Sequence, residues 1–498
     1  MTTLERGSAV AVRARRPLLP LVAVAVAVGA AGFVVRLLVL LHVDGMLGSS
    51  AYDDGVYYAA SASFVHGRWP YADFLFLQPP AILLVGAPAA ALGALLGDPT
   101  GVVIARLAWI AIGASGCALV AGIAGRRSLP AGIIAGACAA CFYPLAYGER
   151  STLLEPLGTV VLLVAILVRE RGTPWAAVIA GAVAGTAVDV KIWYVVPVLV
   201  LAAFPRHRLR FLLGAVAGGA LVVAPFLIRA PEALVRQVVL DQLGRPRLPT
   251  DTLRIRVTAM TGVPWMNSGT QLEPPASTVA ALLVLALIGA AAITALRRPE
   301  GRRAVALLVA TSIVLIASPS FFAHYIALTG PWMALVLGIG AGVLLGRVGS
   351  RALMAGGTVL LTALVAVPTL PRDLRPPART PSLAPIAAAA AKVPGCVRSD
   401  DPGLLAAIGV LSRDLERGCE VWPDVTGWTY EREGFPTVSA DRPSSAVWQR
   451  FVTRYLLGGE AVIVDRAGTG LSRTTLHGIH RLPVLARSGD LVLRAARP

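Results

Sequence analysis

The sequence predicts an all-α polytopic membrane domain of about 11 transmembrane helices, followed by a small extracytoplasmic α/β domain. Three observations carry that expectation. Of 498 residues, 56% are hydrophobic and only 15% charged, and the mean hydropathy is +0.70, far too apolar for a soluble chain of this size. Apolar runs of about 20 residues recur as far as Leu370, each long enough as a helix to cross a hydrocarbon core of about 30 Å. The composition then changes: PTLPRDLRPPARTPSLAP is Pro-rich and extended in character. It divides the chain into a membrane domain over 1–370, a linker over 371–384 and a second domain over 385–498.

The net charge of +17 is almost entirely arginine, gathered in short clusters between apolar runs. Without a basic face or interleaved aromatics this excludes nucleic acid as a partner. The pattern is topological instead. Clusters at Arg13 to Arg16, Arg126 and Arg127, Arg169 to Arg171, Arg206 to Arg210, Arg297 to Arg303 and Arg347 to Arg351 mark cytoplasmic ends. The first run, Leu18 to Leu41, is too long for a signal-peptide core and reads as a retained anchor. The chain is thus expected in the plasma membrane, multi-pass, with a cytoplasmic N-terminus and an extracytoplasmic C-terminal domain.

The elements follow from these ends. The first helix (about 18 to 43) exits into an outer loop over about 44–100, which holds AYDDGVYYAASASFVHGRWPYADFLFLQPP. The run Ala81 to Leu96 closes without a basic residue and reads as a re-entrant or interfacial piece of that loop. The helix over about 101–124 returns to Arg126. Helix 129–147 exits again, which puts Glu149, Arg150 and Glu155 at the outer surface, and 156–168 returns to Arg169. Between two basic clusters, Trp175 to Phe204 must be two short helices broken near Asp189, Val190 and Lys191. A Lys and an Asp at such a break are costly in lipid unless they face a cavity, a bound anion or each other. Helix 211–228 leads to an Arg-rich outer loop from Arg229 to Pro275 that carries Trp265, Met266 and Asn267 and is long enough to cover a site. Helices near 277–296, 304–318, 326–346 and 352–370 complete the domain, with SPSFFAHY at an outer turn.

In the tail, helix-like pieces (Pro402 to Leu415, Ser444 to Leu457) alternate with strand-like runs (Ala461 to Val464, Leu491 to Leu493), the pattern of a small α/β fold. Asp465, Gly468, Thr469 and Gly470 resemble a phosphate loop only superficially, with no lysine following. Cys117, Cys138 and Cys141 lie in apolar runs and read as packing residues. Cys396 and Cys419, in an extracytoplasmic tail, are free to form a disulfide.

Several helices therefore deliver Asp53, Asp54, Glu149, Glu155, Lys191 and the pair His324 and Tyr325 to one membrane face. Paired carboxylates suit a general base or a divalent metal such as Mg, Mn or Ca. Lys191 and outer arginines suit an anionic group arriving through the bilayer. No further cofactor is called for.

The order of an acidic pair in the first outer loop, PYADFLFLQPP, an amphipathic return, a second outer acid in LLEPL and a Lys after AGAVAGTAVDVK resembles the GT-C glycosyltransferases. It looks most like actinobacterial members related to protein O-mannosyltransferases and to the transferase that adds aminoarabinose to lipid A. The resemblance spans about 1–370 as architecture, with its specific part in 51–80 and 149–191. It implies an enzyme that takes a sugar, mannose or arabinose, from a polyprenyl phosphate donor and transfers it with inversion to a cell-envelope hydroxyl on a glycolipid, polysaccharide or protein. It makes Asp53 or Asp54 the catalytic base, with Asp53 favoured, assigns Glu155 with Glu149 to the acceptor or metal site, and sets Lys191 against the donor phosphate. His324 and Tyr325 match an outer turn of the group. Gln78, Pro79 and Pro80 stand in place of the lipid A enzyme's aromatic-rich prolyl motif, which leaves the acceptor open. The competing expectation is a transporter or flippase of lipid-linked sugars, for which broken helices are equally natural, although no inverted repeat is evident. A scaffold whose tail binds cell-wall polymer is the third; in it Asp53→Ala would be silent.

Overall fold

The computed structural model describes residues 18–43, 45–48, 51–126, 128–204, 207–247, 252–263, 276–348, 350–366, 382–431 and 433–496. The cluster Arg13 to Arg16, the residues Trp265, Met266 and Asn267, and nearly all of the Pro-rich linker lie outside these residues.

The bundle is built from α1 (Leu18–Val43), α2 (Tyr52–Val65), α3 (Ala81–Leu96), α4 (Asp98–Gly125), α5 (Leu129–Cys141), α6 (Tyr143–Gly148), α7 (Leu154–Arg169), α8 (Pro174–Val188), α9 (Val195–Ala203) and α10 (Arg208–Arg229). Helices over Ala276–Ala295, Pro299–Ala317, Gly330–Leu345 and Arg351–Ala366 follow. Among the described residues four helices, within 19–43, 98–125, 208–229 and 277–295, are long and apolar enough to cross a membrane unaided. The other apolar helices are shorter or interrupted. Phe142 breaks the expected 129–147 helix into α5 and α6 by leaving the helical region of backbone space. The expected break at Asp189 to Lys191 lies between α8 and a 3-10 turn at Ile192–Tyr194 that leads into α9.

Small residues determine how closely these helices pack. Without water between them, helices in lipid gain from van der Waals contact, so backbones approach wherever side chains are absent. Gly181 and Gly185 on α8 face Gly214 and Gly218 on α10. A Cβ added at Gly181 would lie 2.0 Å from the Phe211 carbonyl, and one at Gly218 would lie 2.1 Å from that of Ala182. The AGAVAG and GAVAGG runs are thus a backbone-on-backbone seam.

α3 packs on α2 and α4 and also touches the tail helix Leu411–Glu416, so it sits at the end of the bundle that the tail covers. Between α2 and α3, Tyr71 adopts φ 69°, a region unfavourable to a side-chain-bearing residue. Its N–H donates to the Phe74 carbonyl at 2.9 Å and its hydroxyl to the Gln78 carbonyl at 2.6 Å. These bonds hold the tight turn that presents Phe76, Leu77 and Gln78.

The tail contains a four-stranded sheet of β1 (Val397–Ser399), β2 (Ala461–Ile463), β3 (Val484–Ser488) and β4 (Leu491–Ala495), in the order β1-β2-β4-β3. β1 and β2 are parallel, and the other pairs antiparallel. The expected helix over Pro402 to Leu415 is two helices, Pro402–Ala407 and Leu411–Glu416. The chain turns between them at Gly409, φ 74°, which a glycine accommodates without steric cost. Cys396 and Cys419 are joined by a disulfide, with Cα atoms 5.8 Å apart. The remaining cysteines are reduced, two of them buried in the bundle.

Candidate active site

α2 opens with Tyr52, Asp53, Asp54 and Gly55, and each meets a different neighbour. Tyr52 Oη donates to Asp424 Oδ1 at 3.0 Å and accepts from the Thr426 N–H at 3.1 Å, while the Arg466 guanidinium lies 4.6 Å from its ring centroid. Gly55 meets the tail backbone, since a Cβ there would come within 2.6 Å of Gly403 Cα. Asp54 is buried against the bundle. Arg106 donates to its Oδ2 from Nε at 2.8 Å and from Nη2 at 2.5 Å, and the Thr152 N–H donates to Oδ1 at 2.9 Å. Asp53, with no buried cation bound to it, turns into open space.

That space is a cavity of about 500 Å³ between the bundle and the tail. The bundle side contributes Asp53, Tyr57, Phe76, Leu77, Arg150, Arg245, His324 and Tyr325; the tail contributes Asp424, Tyr430, Arg442, Arg466 and Thr469. The Asp53 side chain is 37% exposed, and His324 Nε2 lies 3.6 Å from its Oδ2. Burial holds His324 below the ordinary histidine range, against the opposing pull of Glu155 and Asp53. The shift favours the neutral imidazole, which stands beside the Asp53 carboxylate without neutralising it.

The other expected site residues are placed differently. Asp54 serves Arg106 and Thr152 rather than the cavity. Glu149 is bound to Arg36, whose Nε donates to Oε2 at 2.7 Å; Arg36 also reaches the Gly32 and Ala139 carbonyls at 3.0 and 3.2 Å. Gly113 leaves room for this pair, because a Cβ there would sit 2.8 Å from Arg36 Nε. Glu155 Oε1 accepts from Lys191 Nζ at 2.6 Å. Lys191 is further covered by the rings of Tyr325 and Trp193, at 3.7 and 4.2 Å from their centroids. So Glu149 and Glu155 each face a buried cation and do not line the cavity, Glu155 Oε2 has no hydrogen-bond partner among the described residues, and Lys191 stands behind Tyr325 instead of on the cavity wall. The cause is common to all three: a charge in lipid is tolerable only when it is paired. The alternative Asp189 with Lys191 pair does not form, and Asp189 Oδ2 has no partner among the described residues.

No three His, Cys, Asp or Glu side chains gather to hold a metal ion among the described residues. A cavity whose one open bundle-side carboxylate is faced by arginines also suits an anion better than a divalent cation. No step below uses a divalent metal.

Residue types and order alone did not reveal Arg245, Asp424, Arg442 and Arg466. Arg245 follows the helical turns after α10, and its guanidinium lies 4.7 Å from the Tyr430 ring centroid. Its Nε has no hydrogen-bond partner among the described residues. The four arginines and two aspartates on the cavity wall give it an excess of positive charge. The Arg-rich character of the 229–275 loop was the one available signal for Arg245. The tail residues were hidden by their distance in sequence.

No family model matches this sequence, and no curated protein matches it. Solved structures do resemble it. ArnT from Cupriavidus metallidurans bound to undecaprenyl phosphate superposes with TM-score 0.58 at 16% identity, covering 96% of this chain and 98% of that one. The apo form of ArnT gives 0.55 at 16% identity, covering 95% and 97%. The archaeal oligosaccharyltransferase AglB from Archaeoglobus fulgidus, in complex with an inhibitory peptide and a dolichol-phosphate, gives 0.56 at 12% identity, covering 89% and 69%. The chain thus shares the polytopic α-helical membrane fold of these structures, with a C-terminal β-containing region, and with its long apolar helices it is a multi-pass membrane protein.

Proposed function

We propose that the protein is an integral membrane glycosyltransferase that moves a sugar from a polyprenyl phosphate donor to a hydroxyl of a cell-envelope acceptor, with inversion. The observation that carries this reading is Asp53: the one acid of the expected set that lines the cavity without a buried cation bound to it, facing a wall rich in arginine. The relatives in fold were solved with undecaprenyl phosphate and with a dolichol-phosphate, which agrees with a lipid phosphate as donor. Mannose or arabinose is the sugar we propose, after the likeness to actinobacterial transferases related to protein O-mannosyltransferases. The disulfide supports an extracytoplasmic tail, and with it a cytoplasmic N-terminus, because such bonds persist in oxidising compartments.

In this mechanism the acceptor O–H gives its proton to the Asp53 carboxylate as the oxygen attacks the anomeric carbon. The bond from that carbon to the phosphate oxygen breaks, and the polyprenyl phosphate leaves with the electron pair. One displacement inverts the anomeric centre. A phosphate is a weak base and needs no strong acid to protonate it. It needs cations, and Arg245, with an unpartnered Nε beside the cavity, is best placed to receive it. His324 orients the base. Lys191 acts from behind, holding Tyr325 and Glu155 in place.

A carrier of lipid-linked sugars would draw on a free intramembrane cation at the α8 break, and the Glu155 bond to Lys191 counts against it. The deciding experiment is transfer of radiolabelled mannose or arabinose from decaprenyl phosphate donors by the purified protein in nanodiscs. Turnover abolished by Asp53→Ala is expected. Equal turnover in wild type and Asp53→Ala, or none with either donor, would overturn the reading.

A further inference from the structure

The two walls of the cavity differ in chemistry. The bundle wall includes Val56, Phe76, Leu77, Leu153 and Phe322, an apolar surface continuous with the helices and suited to a lipid-borne substrate. On the tail wall, every described lining residue from Asp424 to Thr469 is polar or glycine. None of these belongs to β1, β2, β3 or β4, so the wall offers no strand edge with which an extended peptide could pair. Nor does it offer an apolar pocket for a lipid chain or a peptide side chain.

On this wall Asp424 is held in place by its Oδ1, which accepts from Tyr52 Oη at 3.0 Å and from the Gly427 N–H at 2.8 Å. No described hydrogen bond reaches its Oδ2. Asp424 and Asp53 line the same cavity, one from the tail and one from α2. The loop Arg466–Thr469 beside it is fixed from beneath. Asp400 Oδ1 accepts from the Asp465 N–H at 2.9 Å, and its Oδ2 accepts from Thr469 Oγ1 at 2.9 Å. Arg466 Nη1 donates to Asp401 Oδ2 at 2.9 Å. This loop leaves the C-terminal end of β2, which is parallel to β1, and the ends of parallel strands are where open α/β sheets take ligands.

We infer that the tail builds the acceptor subsite and that this subsite takes a hydroxyl-rich saccharide end, held against Asp424 and the loop Arg466–Thr469 in the cavity that Asp53 lines. The inference rests on the transferase reading, which requires an acceptor hydroxyl within reach of Asp53. A rigid carboxylate surrounded by hydroxyls and guanidinium groups recognises sugar hydroxyls through directional hydrogen bonds, and each is worth more where water is excluded. The sugar could be the end of a free polysaccharide or the headgroup of a glycolipid, which share this chemistry.

The test uses the full chain in nanodiscs with five probes: a manno-oligosaccharide, an arabino-oligosaccharide, a lipid-anchored form of each, and a Ser/Thr-rich peptide of similar length. Saturation-transfer NMR reads acceptor binding, and retention of radiolabelled decaprenyl phosphate sugar reads donor binding separately. Wild type should bind at least one saccharide, and Asp424→Asn should weaken that binding about tenfold or more, the scale of a hydrogen bond to a charged group. Thr437 and Ser439 line the same wall, and a Thr437→Val, Ser439→Ala double variant, which leaves the Asp424 network intact, should weaken it about threefold or more. Both should retain donor as wild type does. Tighter binding of the anchored probes identifies a glycolipid source, and equal binding a polysaccharide. Binding of the peptide alone, binding of no probe, or saccharide binding unchanged in both variants would overturn the inference. Donor retained with no saccharide bound would sink the subsite and spare the transferase. Saccharide bound with no donor retained would do the reverse.

Discussion

Two regions of the bundle each carry a pair of acids, Asp53 with Asp54 and Glu149 with Glu155, and the structure uses them differently. Glu149 and Glu155 both face buried cations, Arg36 and Lys191, and so tie α1 to the end of α6 and the α8 break to the start of α7. Asp54 is spent likewise on Arg106. Asp53, one residue away, is left to the cavity and to His324. Successive residues at the start of a helix point about 100° apart, so adjacency in sequence brings opposite surroundings: one side of α2 faces the bundle and the other faces the tail. Three paired acids hold the frame rigid, and that rigidity is what makes the fourth available as a base.

The comparison breaks most readily at α2. Asp53→Asn should lower turnover by about 100-fold or more, the usual contribution of a general base, and leave the unfolding temperature unchanged, because it removes no buried pair. Asp54→Asn should do the opposite. It strands Arg106 in the bundle at a cost of about 3–5 kcal/mol, visible as a lower unfolding temperature and poor yield, with turnover per folded molecule far less affected. Comparable kinetic losses in both variants, with neither destabilised, would erase the distinction drawn here.

Arg245→Ala comes next, with an expected fall in kcat of about 10²–10³-fold, the scale for losing one preorganised partner of a developing charge. Lys191→Met combined with Glu155→Gln sharpens the contrast. If that pair is structural, the double variant should be more stable and more active than Lys191→Met alone, which leaves Glu155 buried and unpaired. Donor turnover that collapses equally in the single and double variants would show that Lys191 meets the phosphate itself.

Much of the frame was legible because lipid imposes its own grammar. Arginine clusters and apolar runs located α1, α3, α4, α10 and the break at Asp189 to Lys191, since an unpaired backbone or charge in hydrocarbon is too costly to occur by chance. The site was half legible. Asp53, His324 and Tyr325 stood out because acids and imidazoles behind apolar helices are rare. Their division of labour did not, because whether an acid is spent depends on a cation far away in sequence: Arg36 is 113 residues from Glu149, and Arg106 is 52 from Asp54. The tail half of the cavity was invisible for the same reason, with 372 residues separating Tyr52 from Asp424. The fragment Asp465 to Gly470, unconvincing as a phosphate loop, is nevertheless part of the cavity wall.

A smaller effect tests how the tail holds α2. Tyr52→Phe deletes the hydroxyl that links the first turn of α2 to Asp424 and Thr426. It should cost about 1 kcal/mol of stability, the usual net value of such a bond, read as a modest drop in unfolding temperature of the whole chain. A loss the size of that of Asp54→Asn would mean that the tail, and not the bundle, fixes the helix.

The smallest expected effect concerns a third pair of neighbouring acids, Asp400 and Asp401, both buried in the tail and both committed to holding backbone and Arg466. Burial pushes Asp400 up to about 6, against the hydrogen bonds from Asp465, Thr469 and Arg466 that favour its charged form. An aspartate in the unfolded chain titrates near 3.9. Between about pH 4 and pH 6 the folded chain therefore binds more protons at this position than the unfolded one, so its contribution to stability falls as pH rises through that window and is constant above it. His324, held below its ordinary range, acts in the opposite sense: its contribution is full above about 6.5 and is lost as the pH falls. The raw stability curve mixes both. The difference between wild type and Asp400→Asn isolates the aspartate, and it should show the unfolding temperature of wild type declining by some degrees relative to the variant from pH 4 to pH 6. Parallel curves would mean that Asp400 is ionised throughout, and that the loop on the acceptor side of the cavity is held by a charge, as Arg106 is held by Asp54.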